Sequence, residues 1–117
     1  MMQNQDSQYV IGVDFGTESA RAVLADVKTG EIIASAAHSY SHGVIDQALP
    51  GSPNPLPPDW ALQAPQDWLD ALEQTVPAVL SAGRVVPQQV TGIGIDFTAC
   101  TVLPTTTEGA PLCSLEK

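Results

Sequence analysis

The hydrophobic pattern of the first forty residues predicts three short strands joined by tight turns. Residues 9–14 are nearly continuously apolar, and residues 21–26 repeat that character after a polar turn. A third apolar stretch, residues 31–39, follows Lys28, Thr29 and Gly30, which favour a tight turn. Three strands with such short connections predict an antiparallel meander.

The regular pattern stops between residues 38 and 64, where five prolines and two glycines occur. This composition predicts an extended, irregular surface loop. Loops of this length inside compact domains are uncommon and usually functional or mobile.

Residues 65–82 have apolar positions at helical spacing and predict an α-helix. Pro65 suits the first turn, Asp67 and Asp70 suit the positive end of the helix dipole, and Gly83 predicts the stop. Pro77 costs about 3 kcal/mol inside a regular helix, so a kink or break is expected there. The predicted apolar stripe consists of Trp68, Leu69, Leu72, Val76, Val79 and Leu80.

Residues 90–97 predict a fourth strand, so apolar that burial on both faces is expected. A fifth strand is expected to begin at residues 101–103, with a turn at Glu108 and Gly109. The order of elements predicts an α/β fold with a mixed sheet.

The polar turn after the first strand contains the candidate chemistry: Asp14, Gly16 and Thr17 end a buried strand. A glycine lets backbone amides approach an anion closely, and a carboxylate can hold Mg²⁺ through its waters. The turn therefore predicts a site for a phosphate chain and its metal, although it is neither a Walker P-loop nor a dinucleotide fingerprint. Ordinary turn chemistry is the alternative, with Asp14 bonded to its own backbone and Gly16 at positive φ.

The end of the fourth strand resembles the end of the first, IGIDF at residues 93–97 beside IGVDF at residues 11–15. If these strands are parallel neighbours, Asp14 and Asp96 flank one cleft, because ligands collect at the carboxyl edge of such sheets. Asp14 would then face phosphate and metal and Asp96 a second substrate. The alternative for Asp96 is an acid that caps the next turn.

The amino-acid composition limits the classes of partner that the chain is expected to bind. The 117 residues carry 4 basic and 13 acidic side chains, a net charge of −9, which argues against nucleic acid and anionic membranes. Cys100 and Cys113 form neither a disulfide framework nor a zinc pattern, and His38 and His42 are expected to be solvated. Residues 1–8, expected to be disordered, lack a signal-peptide pattern, and no run is long enough to span a bilayer, so a cytoplasmic location is expected.

The run DFGTESAR at residues 14–21 resembles the first phosphate segment of the sugar-kinase, heat-shock-protein and actin superfamily. LPPDWALQ at 56–63, TVPAVL at 75–80 and GIGIDFTACT at 92–101 are similar to the FGGY carbohydrate kinases, in particular their ribulokinase branch. This resemblance implies an RNase-H-like (actin-like ATPase) domain, with residues 9–117 forming part of an amino-terminal FGGY-kinase domain and the second domain absent. It implies ATP and Mg²⁺ as cofactors, L-ribulose as the sugar, and is compatible with a homo-oligomer of the full-length form.

Site residues follow from the same resemblance. Asp14 would organise the metal and phosphates, and Gly16, Thr17, Glu18 and Ser19 would wrap the phosphates. Arg21 would add a positive donor, or serve as a structural ion-pair partner. Asp96, Thr98, Ala99 and Cys100 would bind the sugar. Trp60 and Trp68 could stack on a sugar face, although Trp68 also suits the core.

The general base and the adenine site lie beyond the matched segment in this family, so the 117 residues alone are expected to be inactive. Two alternatives are a different actin-like ATPase that acts as a conformational switch and a non-catalytic interaction module of the same fold.

Overall fold

The computed structural model describes residues 6–116 of the chain. Its elements agree with the predicted strands and helix to within two residues at each end. In chain order they are β1 (Tyr9–Phe15), β2 (Ser19–Asp26), β3 (Ile32–Ser39), α1 (Pro65–Gly83) and β4 (Val90–Phe97), with single 3₁₀ turns at Pro87–Gln89 and Leu112–Ser114.

The four strands form one mixed sheet in the order β3-β2-β1-β4. β1 and β3 each pair with β2 in antiparallel fashion, so the predicted meander is confirmed. β4 joins β1 on its other side and runs parallel to it, with Asp14 in register with Asp96 and Phe15 with Phe97. The carboxyl ends of β1 and β4 therefore open at the same edge of the sheet.

One face of the sheet packs against α1. Alternate residues of β1 and β2 are buried there because successive strand side chains point to opposite faces. The small Ala20 and Ala22 leave room for the helix to approach closely. This core contains Tyr9, Ile11, Val13, Phe15, Ala20, Ala22 and Leu24, with Ala71, Val79 and Val85 from the helical side.

The buried row of α1 differs from the predicted apolar stripe. The predicted Leu69 is 56% exposed, whereas Asp67 and Thr75 are buried. Thr75 satisfies its hydroxyl by donating to the carbonyl of Ala71 at 2.8 Å. Polar residues occupy this row because each has a hydrogen-bond partner, which removes the penalty of burying it.

Helix α1 ends differently from the prediction. Gly83 is its last residue, and the left-handed conformation that stops the helix falls on Arg84, with φ 55°. A Cβ on Gly83 would lie 2.6 Å from Cδ2 of Leu24 and 3.3 Å from Cγ2 of Ile33. Glycine is therefore needed for close packing on the sheet rather than for the turn.

Of the kink or break predicted at Pro77, the break does not occur, because α1 is continuous from Pro65 to Gly83. Proline removes the hydrogen bond to the carbonyl four residues earlier, which is that of Glu73. Both residues are exposed, so water can solvate the freed carbonyl.

The predicted burial of β4 is wrong for the part of the chain that the structure describes. Ile93 and Ile95 are 51% and 58% exposed, because β4 is an edge strand and α1 lies over β2 and β3. The expected fifth strand is also not formed: residues 101–103 carry no strand, and only an isolated bridge between Thr105 and Pro111 follows. The turn at Glu108 and Gly109 is present, with Gly109 at φ 88°.

The segment between β3 and α1 is irregular, as predicted, but it folds back on itself. Ile45 and Leu62 exchange two backbone hydrogen bonds of 2.8 and 2.9 Å, and Leu56 N–H donates to Gln47 O at 2.7 Å. Both ends of the segment therefore lie beside the start of α1.

The expected disorder of residues 1–8 falls partly on residues 1–5, outside the described residues. Within the described part, the carbonyls of Ser7 and Gln8 accept hydrogen bonds from Gln89 and Val27. No helix within residues 6–116 is both long enough and apolar enough to cross a bilayer.

The packing of Gly83 leads to a stability prediction. Gly83→Ala is expected to lower the free energy of unfolding by about 1–3 kcal/mol, although alanine in a helix interior gains up to about 1 kcal/mol. The added Cβ would meet Cδ2 of Leu24, whose fully buried side chain would have to shift within the core. Urea denaturation of the 117-residue chain measures the change.

Arg84→Gly is the matched control, because it lies next to Gly83 and places glycine at the left-handed position. This variant is expected to be stabilised, by roughly 0.5–1 kcal/mol. If Gly83→Ala were as stable as the parent, close packing would not be the reason for this glycine.

Candidate functional site

Three charged side chains lie side by side on the face of the sheet opposite α1. Asp14 on β1 is in register with Arg21 on β2 and with Asp96 on β4. Paired residues on neighbouring strands point to the same face, so the three form a row across the sheet. The row lines a cavity of about 520 Å³, together with Gly12, Val13, Val23, Gly94 and Ile95.

The two carboxylates of this row are not used in turns. Within residues 6–116 neither Asp14 nor Asp96 accepts a hydrogen bond or forms an ion pair, and Arg21 has no carboxylate partner. Asp14 therefore does not bond its own backbone, Asp96 does not cap the next turn, and Arg21 is not a structural ion-pair partner there. The alternatives to a ligand site are thus weakened.

Gly16 is not needed for a positive φ, because its backbone does not adopt one. Its N–H donates to the carbonyl of Ser19 at 2.8 Å, and an added Cβ would lie 3.0 Å from that oxygen. The glycine therefore permits a close hairpin turn between β1 and β2.

The carbonyl groups of this turn are held by other parts of the chain. The Tyr40 hydroxyl donates to Gly16 O at 2.9 Å, and the Tyr40 N–H donates to Glu18 O at 2.9 Å. The side-chain amide of Gln63 donates to Thr17 O at 2.6 Å. Sequence reasoning missed both residues, because these pairs are 24 and 46 residues apart and follow no local pattern.

Thr98 holds the residue before the turn. Its N–H and hydroxyl both donate to Phe15 O, at 3.0 and 3.2 Å. The Phe15 ring stacks on Phe97 with centroids 4.5 Å apart, and Trp68 meets Phe97 edge-on at 5.4 Å. The ends of β1 and β4 are thus joined by backbone and aromatic contacts.

Hydrogen bonds between the buried Asp67 and His42 fix the segment that carries Tyr40. Asp67, whose side chain is 1% exposed, accepts from Nδ1 of His42 at 2.7 Å and from the His42 N–H at 3.0 Å. His42 is solvated as expected, with its side chain 45% exposed, but the sequence did not predict its bonds to Asp67. Asp67 stands in the first turn of α1, so the helix start anchors the chain beside the turn.

A second cavity, of about 480 Å³, lies between the turn, α1 and the segment after β4. It contains Thr17, Gln63, Thr98 and Cys100, and its apolar wall includes Trp68 and Leu62. Ala99 is exposed and is not among the lining residues, and Asp96 lies with Asp14 instead. Trp60 points elsewhere on the surface, 53% exposed, so stacking of Trp60 in this cavity is not seen.

No cluster of three or more His, Cys, Asp or Glu side chains suited to a metal is present in residues 6–116. Asp14 and Asp96 nevertheless fit Mg²⁺, which keeps several waters and usually takes one or two carboxylates together with substrate phosphates. The predicted metal ligand Asp14 is exposed and free to serve in this way.

Comparison with known proteins identifies the family. Residues 9–114 match the model of the FGGY family of carbohydrate kinases, N-terminal domain. The chain belongs to this family. The family membership and the sheet confirm the fold expected from the sequence resemblance.

Proteins with high sequence identity to this chain include ribulokinases. The chain is 56% identical over 106 residues to the ribulokinase of Geobacillus thermodenitrificans, covering 91% of the chain and 19% of that protein. It is 54% identical over 106 residues to the ribulokinase of Shouchella clausii, with the same coverage of 91% and 19%. The chain therefore spans about a fifth of the length of these relatives.

A solved structure shows the same fold at lower identity. The gluconate kinase of Lactobacillus acidophilus superposes with a TM-score of 0.68 at 19% identity, covering 91% of this chain and 18% of that chain. At this identity the likeness supports the fold alone.

The environment of Tyr40 gives a pH prediction. Burial first, then the carboxylates of Asp14 and Asp67, raise the pKa of Tyr40 above its ordinary value of 10.0. The folded state therefore holds this proton more tightly than the unfolded state. Its contribution to stability is complete below pH 10 and is lost as the pH rises through the higher pKa of the folded state.

Tyr40→Phe should remove this part of the alkaline loss of stability. The difference in free energy of unfolding between the parent and Tyr40→Phe is expected to stay constant from pH 7 to about 9.5 and to shrink above pH 10. Urea titrations at each pH measure it. A difference that grew with pH would contradict the raised pKa.

Proposed function

We propose that this chain supplies the phosphate-binding turn and the sugar cavity of an ATP-dependent ribulokinase. The proposed reaction transfers the γ-phosphoryl group of ATP to the terminal hydroxyl of L-ribulose and gives L-ribulose 5-phosphate, as used in arabinose breakdown in the cytoplasm. The high identity to ribulokinases over 91% of the chain supports this substrate choice.

One geometric observation carries the proposal: Thr17 belongs both to the turn and to the cavity of about 480 Å³. Small-molecule sites commonly measure roughly 300–1,000 Å³, so a pentulose fits. A sugar bound there would have its hydroxyl near a phosphate held at the turn. Phosphoryl transfer depends mostly on such positioning and on charge stabilisation.

The residues of the row across the sheet have complementary proposed roles. Asp14, with Asp96 beside it, would hold Mg²⁺, which when bound neutralises charge on the phosphate oxygens. Arg21, which is free of carboxylate partners within the described residues, would donate to the same oxygens. The backbone of Gly16, Thr17, Glu18 and Ser19 would surround the phosphates.

The sugar contacts are proposed on the other side of the turn. Thr98 and Cys100 line the cavity, and Ala99 lies between them in the chain. The Trp68 ring forms part of the apolar wall and also packs on Phe97, so it combines a core role with a place in the cavity.

A chimera tests the function. Residues 9–114 of this chain would replace the matching segment of the Geobacillus thermodenitrificans ribulokinase, and ATP-dependent phosphorylation of L-ribulose would be followed in a coupled assay. Activity with L-ribulose well above that with other pentuloses is expected. A folded chimera without kinase activity would contradict the proposal, whereas the 117-residue chain alone is expected to be inactive.

Asp14→Asn in the chimera is expected to lower kcat on the order of 100-fold, because the lost charge stabilises the transition state most. Asp59→Asn is the matched control, since Asp59 is an exposed aspartate of the irregular segment at φ 65°, a conformation that asparagine tolerates. Circular dichroism would verify that both variants fold. Near-parental kcat in folded Asp14→Asn would remove Asp14 from the metal and phosphate site.

Cys100→Leu is expected to raise the KM for L-ribulose on the order of 10- to 100-fold, because it narrows the cavity. The KM for ATP should change little, and the melting temperature should stay the same. Ala99→Leu is measured in parallel, and the sugar-site assignment of Ala99 likewise predicts a raised KM for L-ribulose. An unaltered KM in either variant would remove that residue from the sugar site.

A further inference from the structure

We propose that Tyr40 and Gln63 form a carbonyl clamp that fixes the orientation of the phosphate turn, so that both are positioning residues. The inference rests on the proposed function, since the turn is assigned to phosphate there. It adds a role for two residues that do not themselves touch ATP or metal in that assignment.

The first step is that three consecutive carbonyls are each held by a donor from outside the turn. Gly16 O and Glu18 O accept from the hydroxyl and the N–H of Tyr40, and Thr17 O accepts from Gln63. Because a carbonyl oxygen can only accept, the nitrogen end of the Gln63 amide must face Thr17. The donors leave little rotational freedom for these peptide units.

The second step follows from the planar trans peptide, in which the C=O and N–H of one unit point in opposite directions. The N–H groups of Thr17, Glu18 and Ser19 belong to the three units whose carbonyls are held. Each therefore points away from the group that holds its carbonyl. Successive N–H groups held in this way suit an anion.

The third step is that the clamp is itself anchored. Tyr40 is buried, and two residues later His42 is bonded through both its ring and its N–H to the buried Asp67. Gln63 lies two residues before Pro65, the first residue of α1. Tyr40 and Gln63 are thus both held close to the amino-terminal end of α1.

Loss of the clamp should affect the proposed reaction by weakening the binding of ATP. If the turn is only partly in its competent orientation, the apparent affinity for ATP falls by that fraction. In the chimera, Tyr40→Phe and Gln63→Glu should each raise the KM for ATP on the order of tenfold, the scale of one lost hydrogen bond. Gln63→Glu keeps the shape of the side chain but replaces the donor with an acceptor.

Two control variants match these changes. Tyr9→Phe removes the hydroxyl of another buried tyrosine, at the opposite end of β1 and roughly 20 Å away. Gln66→Glu alters a nearby exposed glutamine whose side chain donates to Asp70. Neither control should change the KM for ATP or for L-ribulose.

A measurement on the 117-residue chain tests the clamp without any reaction. ¹⁵N relaxation should give order parameters near 0.85 for the amides of Thr17 and Glu18, and values below about 0.6 in the Tyr40→Phe/Gln63→Glu double variant. The amides of β2 beyond Ser19 and of α1 should stay rigid. Unchanged order parameters in the folded double variant would overturn the clamp.

The outcomes separate the two proposals. An inactive chimera with a loosened turn in the double variant removes the kinase assignment but keeps the clamp. A raised KM for L-ribulose with an unchanged KM for ATP would make Gln63 a sugar contact, which its place in the cavity wall allows, and would overturn its positioning role. An unchanged KM for both substrates in Tyr40→Phe would overturn the role of Tyr40.

Discussion

The parallel pairing of β1 with β4 is the constraint on which the site depends. Parallel neighbours cannot be joined by a tight turn, so the chain must cross over between them. Here the crossover begins with antiparallel β2 and β3 and then includes the irregular segment and α1. This path brings Tyr40 and Gln63 to the edge of the sheet where β1 and β4 end, close to Asp14 and Asp96.

The sequence was sufficient for β1 to β4, for α1 and for the positions of the two carboxylates, because these depend on local patterns. Strand period and turn residues located β1 to β4, and the repeated strand ends placed Asp14 beside Asp96 once the strands were assumed to be parallel. The burial of β4 was not predictable in this way. The apolar sequence of β4 predicts a strand that packs against another element on both faces. It does not show whether α1 packs over β4 or over its neighbours β2 and β3.

Residues that are buried with distant partners were also beyond the sequence pattern. Asp67 was assigned to the helix dipole, yet it occupies the buried row of α1 because His42, 25 residues earlier, satisfies both its oxygens. Gly83 was assigned to the helix stop, yet it contacts Leu24 across the core. The contacting residues, His42 for Asp67 and Leu24 for Gly83, are distant in sequence. Composition and periodicity therefore cannot predict these contacts.

The buried Asp67 also shows how stability and site geometry are coupled. Taking a carboxylate out of water is costly unless strong hydrogen bonds replace the lost solvation. An apolar residue at this position would avoid that cost but would leave His42, and with it the segment after Tyr40, without its anchor. The pairing of Asp67 with His42 is therefore better explained by the fixed path of the chain beside the turn than by a gain in free energy of folding.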